Sequence, residues 1–406
     1  MNTHDEVYGR LNGIRSRLED LHRDLHAHPE LSQHEERTRS IIAERVRALG
    51  CDVTEVGGGV VGVLRNGEGP VVLHRADIDG LPVTEQTGLP YASTDTTVDA
   101  AGASVGLMHA CGHDVHVTCL LGALELLAAS RGSWSGTFIA LFQPAEENAE
   151  GARGMVSAGL TSLIPRPDVA FGQHVLAHAA GVVATQEGPV LSAGDSIRIT
   201  VHGRGSHGSM PHLSVDPVVV SAAIVLRLQT IVARELSPSE FGVVTVGSLV
   251  AGTRSNVIPD SATLLVNLRA YDEGVRSRMV AAVERIVRAE CEAAACPALP
   301  TFEYYDQFPL TDNNADVTAR VSAAFRDHFG TDRVVPLGRV PASEDFSRIP
   351  DAFGTPYTYW GVGGFPEGHG VPNHSPQFAP LMQPTLDAGI EAINAAALAY
   401  LGKDTK

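Results

Sequence analysis

The stretch Met108-His109-Ala110-Cys111-Gly112-His113-Asp114-Val115-His116 gathers a thiol, several imidazoles and a carboxylate into one short segment. Thiolate and imidazole suit a first-row transition metal far better than Mg²⁺ or Ca²⁺, which prefer oxygen ligands. Further along, Phe142-Gln143-Pro144-Ala145-Glu146-Glu147 closes an apolar run with two adjacent carboxylates. One carboxylate to hold a metal and one to move protons is what metal-assisted hydrolysis requires. A lone Cys is most often a small buried hydrophobe and a lone His a structural residue. The weight therefore rests on the whole set of candidate ligands.

Composition narrows the classes. At 406 residues the chain exceeds a single ordinary core, so two domains are expected. A hydrophobic share of 44% beside 19% charged residues is globular rather than disordered. A net charge of −17 argues against nonspecific binding to nucleic acid or to anionic membranes. Five cysteines, an odd number without a framework spacing, fit a reducing compartment and a cytoplasmic location. Met1-Asn2-Thr3-His4-Asp5-Glu6 has no basic or apolar leader pattern, and no later stretch reads as long enough to span a bilayer.

The elements that must position these residues follow from periodicity. Leu11, Ile14, Leu18, Leu21 and Leu25 recur at helical spacing, with Pro29 marking the end, and a second helix covers 35–49 up to Gly50. β-branched runs at 60–64 and 71–73 precede a helix over 115–129, a strand over 137–142, a helix near 152–158 and a strand from Val169. Strands alternating with helices predict a mainly parallel α/β sheet with helices on both faces. Asp77 and Asp79 follow the strand ending at Leu73, Glu146 and Glu147 the strand ending at Phe142, and His174 closes the strand from Val169. Ligand crevices in open α/β sheets lie beyond the carboxyl ends of the strands, so three elements deliver their chemistry to one edge. Along a strand, alternation would send Glu146 and Glu147 to opposite sides.

From 192 to 303 the texture changes. A strand over 196–201, a helix over 217–234, strands near 243–249 and 262–269 and a helix over 273–294 make a βαββα order. That suits a small antiparallel sheet with helices on one face. After Thr311 the α/β pattern resumes, with a helix at 315–329, a strand at 356–360 and a final helix to Leu401. The prediction is a discontinuous catalytic domain, 1–191 with 304–406, interrupted by an inserted α+β domain, 192–303. Gly57-Gly58-Gly59 reads as a turn, Cys119 as core, and His22, His26 and His28 as surface residues of the first helix.

Arg75-Ala76-Asp77-Ile78-Asp79-Gly80-Leu81-Pro82, the Met108–His116 segment, Gln143–Glu147, Gly172-Gln173-His174, Gly203–Gly208, Ser343-Glu344-Asp345-Phe346 and His374-Ser375 occur in one order. In these the chain resembles the aminoacylase/carboxypeptidase family of dinuclear metallopeptidases. The nearest branch holds hippurate hydrolases, N-acyl-amino-acid amidohydrolases, auxin-conjugate hydrolases and N-acetyldiaminopimelate deacetylases. His74 and Asn148-Ala149-Glu150 are local departures that replace no motif residue.

The resemblance implies Cys111, His113, Glu147, His174 and His374 as metal ligands. Five exceed the three protein ligands of a usual catalytic zinc site, so two divalent ions, Zn, Mn, Co or Ni, are the economical count. It implies Glu146 as general base and Asp77 as the residue orienting a ligand, although by composition Asp77 could equally be a turn carboxylate. His207 resembles the histidine that reaches a neighbouring subunit's site and stabilises the oxyanion; its flanking glycines suit an ordinary hairpin as well. Asn256 and Arg269 correspond to positions holding the substrate carboxylate, an exposed strand Arg being the plain alternative. The implied activity is cleavage of the amide of an N-acyl amino acid, in a homodimer formed through the inserted lid domain. A dipeptidase or carboxypeptidase is the neighbouring alternative. A noncatalytic metal-binding homologue is a second class, against which the full ligand set and Glu146 speak.

Overall fold

The computed structural model describes residues 3–98 and 102–403; the first two residues of the opening segment lie outside them. Strands Val71–Asp77 and Gly136–Gln143 are buried along nearly their whole length. Such continuous burial is the mark of strands in a sheet covered on both faces. They lie inside an eight-stranded sheet ordered Asp52–Val56, Gly59–Asn66, Gly136–Gln143, Val71–Asp77, Val169–Ala179, Tyr357–Phe365, Val183–Thr185, Val334–Pro336. The four central strands run parallel, and antiparallel pairs enter only toward the edges.

Two glycines show how both faces are covered. A Cβ on Gly62 would meet Val46 of helix Glu36–Ala48 at 2.3 Å, and one on Gly59 would meet Met155 of helix Gly151–Ser157 at 2.5 Å. Residues three apart on a strand face opposite sides. Helices therefore press on each face, as the sequence predicts. Helix His113–Ala129 is buried on nearly every side between helices Leu11–Ala27 and Met382–Leu401. At Gly122 an added Cβ would lie 2.8 Å from Ile390 and 2.9 Å from Leu18, so only a glycine permits this three-helix approach.

Two strand limits differ from the sequence prediction. Val71–Asp77 continues past Leu73 because its ladder to Gly136–Gln143 runs as far as the pair Asp77–Gln143. Val169–Ala179 continues past His174, which pairs with Gly361. Asp77 is thus the last strand residue and His174 a mid-strand one.

The chain divides into two compact units. The second comprises Leu191–Thr311 and Arg339–Glu344. It holds a four-stranded antiparallel sheet ordered Gly242–Ala251, Ser261–Ala270, Ala193–His202, Thr301–Phe308. Alternate residues of Ser261–Ala270 are buried, which puts Leu264, Val266 and Leu268 in a core with Val220, Ile224 and Leu228 of helix Pro217–Thr230 and Val275, Met279 and Val283 of helix Glu273–Ala293. Asp216 and Asp272 cap the two helices by accepting the backbone N–H of Val218 at 2.9 Å and of Val275 at 2.8 Å. Arg276 grips buried Asp195 through two bonds of 2.7 and 2.8 Å.

The strand Thr301–Phe308 is absent from the sequence prediction, whose limit at 303 falls inside it. It lies half-exposed at the sheet edge, and its alternation breaks at Tyr304-Tyr305, so alternation alone does not reveal it. One helical stretch, Pro217–Glu235, is long and apolar enough to cross a bilayer by length and composition, contrary to the sequence expectation of none. Its Val220, Ser221, Ile224, Leu228 and Ile231 are buried. That apolarity serves the second unit's own core.

Candidate functional site

Three backbone turns bring side chains together beyond the central strands. Gly112, with φ +84°, precedes helix His113–Ala129 in the left-handed region, and a Cβ there would lie 2.3 Å from Val175 Cγ1. Only glycine lets Cys111 and His113 approach strand Val169–Ala179 so closely. Ala145, also left-handed at φ +48°, is held by its N–H donating to buried Glu35 Oε1 at 2.8 Å. Glu146 and Glu147 follow in the same turn. His374, at φ +67°, donates its N–H to the Ala110 carbonyl at 2.8 Å.

The result is one connected set of ligand atoms. Those of Cys111, His113 and His174 lie within 4.8 Å of one another, as do those of Cys111, Glu147 and His374, and those of His113, Glu146 and Glu147. Cys111 Sγ is 3.4 Å from His174 Nε2, and His374 Nε2 is 3.3 Å from Glu147 Oε2. His174 Nδ1 lies 2.8 Å from the Val175 carbonyl, which can only accept, so the proton is on Nδ1 and the Nε2 lone pair faces Cys111. His113 Nδ1 meets Asp79 Oδ1 at 3.1 Å, while its Nε2 faces Asp77 Oδ2 at 3.7 Å and Glu147 Oε1 at 3.8 Å. Glu146 and Glu147 both reach toward His113 from a turn, so strand alternation does not divide them.

Buried charge governs the electrostatics. Burial pushes the Cys111 thiol up to about 12, with Glu147 adding to the shift. Burial also raises Glu147 to about 8, with Asp79 and Asp77 contributing and His113 opposing. Burial would raise Asp77 too, but His113, His116 and Arg75 outweigh it and hold the carboxyl well below its ordinary value. Burial and neighbouring His116 keep His174 well below the usual imidazole range.

Several residues here have no assigned role in the sequence analysis. Asp79 accepts from Ser32 Oγ at 2.7 Å and from the Glu147 N–H at 3.1 Å, besides meeting His113. His116 stands 2.5 Å from Asp77 Oδ1 and accepts the Val175 N–H at 2.9 Å. Its spacing from His113, one helical turn, is a signal that could have placed it on the same face. Arg75 bonds Asp77 at 2.6 Å, Gln143 at 2.9 Å and Asp345 at 3.2 Å, all buried. No local pattern could join Arg75 to Gln143 and Asp345, 68 and 270 positions away. His22 and His26, expected at the surface, are each only 3% exposed. They share the inward face of their helix with Leu18 and Leu25.

The remaining predicted residues belong to the second unit. His207 is exposed on a two-stranded pairing of Ser206–His207 with Val257–Ile258, its Nδ1 2.7 Å from Ser209 Oγ. Asn256 sits beside it, its carbonyl accepting the Gly208 N–H at 2.8 Å. Arg269 lies on Ser261–Ala270, half-buried rather than exposed, with Nε donating to Asn267 Oδ1 at 2.9 Å and Nη1 bonded to Ser343 Oγ.

Residues 73–399 match the peptidase family M20/M25/M40. Over 365 residues the chain is 36% identical to thermostable carboxypeptidase 1 of Saccharolobus solfataricus, covering 88% of this chain and 89% of that protein. Over 362 residues it is 34% identical to N-acetylcysteine deacetylase of Bacillus subtilis, covering 87% and 90%. Its fold is similar to the crystal structure of a dinuclear metal binding peptidase from Bacillus subtilis, with TM-score 0.77, 28% identity and coverage of 95% of this chain and 98% of that one. Because the match runs from the strand that ends at Asp77 to the last helix, the chain belongs to the peptidase family M20/M25/M40 and is a hydrolase of amide bonds.

Proposed function

We propose that the protein is a metal-dependent amidohydrolase that cleaves N-acyl amino acids into a carboxylic acid and a free amino acid. The observation that carries it is the pair of buried atoms His113 Nε2 and Glu147 Oε1, which have no hydrogen-bond partner among the described residues and stand amid the other ligand atoms. Buried polar atoms without partners are costly, and a cation supplies the missing partner. The donor chemistry fits as well. A thiol at about 12 and a carboxyl at about 8 are both groups that a nearby divalent ion would deprotonate.

Cys111, His113, Glu147, His174 and His374 would hold two divalent ions of the Zn, Mn, Co or Ni kind. Bound there, such ions supply Lewis acidity, polarising a scissile carbonyl and lowering the pKa of a water. Glu146, beside His113 and Glu147, takes the proton from the attacking water and returns it to the departing amine. Asp77, bonded to His116 and 3.7 Å from His113 Nε2, serves the site's charge balance, while Asp79 at Nδ1 orients the His113 imidazole. His207 stabilises the oxyanion at a neighbouring subunit's site, and Asn256 and Arg269 hold the substrate carboxylate, a bidentate task that suits a guanidinium.

The N-acetylcysteine deacetylase relative supports an N-acyl amino acid as substrate, and the more similar carboxypeptidase keeps peptides as the second reading. Free cysteines support a cytoplasmic location. Acetyl, benzoyl, long-chain acyl and indole-acetyl amino acids should be assayed beside dipeptides, before and after chelation and with each metal added back. Activity on the acyl amino acids that disappears on chelation and returns with metal is expected. Full turnover in demetallated protein, or turnover of peptides alone, would overturn the proposal.

A further inference from the structure

A second cluster of ligand-type side chains lies inside the first unit. His22 and His26 stand one turn apart on helix Leu11–Ala27 and meet Asp114, in the first turn of helix His113–Ala129. His22 Nδ1 is 3.3 Å and His26 Nδ1 2.8 Å from the same oxygen, Asp114 Oδ2. We propose that His22, His26 and Asp114 form a further transition-metal site, structural in role and separate from the proposed dinuclear centre.

The three ligand atoms lie within 4.8 Å of one another, and all three side chains are nearly inaccessible. His22 Nδ1 has no hydrogen bond among the described residues, although it is buried and aimed at the cluster. His109, nearby in sequence, is also buried with neither ring nitrogen hydrogen-bonded among the described residues. Behind His26 the other ring nitrogen meets Glu85 Oε1 at 3.1 Å. A carboxylate backing a ligating imidazole in this way fixes its orientation and raises its basicity.

Two imidazoles and a carboxylate favour Zn²⁺ or Co²⁺ over Mg²⁺ or Ca²⁺. With no face open to water, the site would bind no substrate. It would instead pin helix Leu11–Ala27 to the turn that carries His113, next in sequence to Asp114.

Crystals of the full chain loaded with Zn²⁺ should be measured on both sides of the zinc absorption edge. An anomalous peak between His22, His26 and Asp114 is expected, and its absence at full zinc loading would overturn the site, leaving a proton shared by His26 and the two carboxylates. That peak supports the site whether or not others surround Cys111, Glu147 and His374, which bear on the dinuclear proposal alone. His22→Gln should bind one zinc equivalent fewer per chain than the wild type; an unchanged count would count against His22 as ligand. If His22→Gln does not fold, the wild-type map decides alone.

Discussion

Two carboxylates of identical chemistry sit side by side in one turn, and their surroundings differ. Glu147 lies between His113 and His374, 3.8 and 3.3 Å from their Nε2 atoms. Glu146 reaches the same His113 from the preceding residue. Under the proposed mechanism, Glu146→Gln keeps shape and metal but removes the base. Turnover should fall at least roughly 10²–10⁴-fold, the range of general-base catalysis, with metal content unchanged. Glu147→Gln should lose metal, because a neutral amide is the poorer ligand. Metal analysis beside turnover decides the matter, and a Glu146→Gln protein that loses metal while Glu147→Gln retains it would reverse the two roles.

At the scale of elements, the turns that carry the site are shaped by positions that a side chain would disrupt. Gly112 combines a left-handed backbone with a close approach to Val175, whereas Gly88, at φ +74°, has nothing within 4 Å of a built Cβ. Gly112→Ala should therefore cost about 2–4 kcal/mol, a left-handed penalty plus overpacking, while Gly88→Ala should cost only about 1–2 kcal/mol. Chemical denaturation of the two variants measures the difference, and equal costs would remove the Val175 contact from the explanation. Gly112→Ala should also lower turnover, since Cys111 and His113 flank the turn. Helix limits were close in the sequence, because stop signals such as Gly50 and Pro29 are local: helix Glu36–Ala48 answers a predicted 35–49. Strand limits were poorer, since a strand ends where its partner does, and the partner of Val71–Asp77 lies in Gly136–Gln143.

For the whole molecule, the second unit has surfaces that suit a second copy. Strand Gly242–Ala251 pairs on one side only among the described residues, and its Val250 is 66% exposed. On helix Pro217–Thr230, Val219 and Leu226 are 65% and 74% exposed. An open strand edge beside outward apolar side chains invites association. The proposed homodimer should dissociate in Leu226→Glu, as light scattering would detect. If His207 acts across the boundary, mixing His207→Ala with Glu146→Gln subunits should restore roughly a quarter of the sites, the statistical share in exchanged dimers of closed symmetry. No regained activity despite demonstrated subunit exchange would remove the trans role.

The α/β class was legible from short-range signals, and the naming of Cys111, His113, Glu147 and His174 as candidate ligands followed from the family resemblance of the short motifs that hold them. Periodicity compares residues a few positions apart, and ligand-type side chains cluster in motifs such as Met108–His116. What packs against those motifs was decided only in three dimensions. Arg75 and Asp345 meet in the buried interior, 270 positions apart, and Glu35 braces the Ala145 turn from 110 positions away. His22 and His26 show the limit most plainly. A histidine is compatible with water or with burial, so its helix position alone could not say which, and the arrival of Asp114 and Glu85 from elsewhere in the chain put both rings inside.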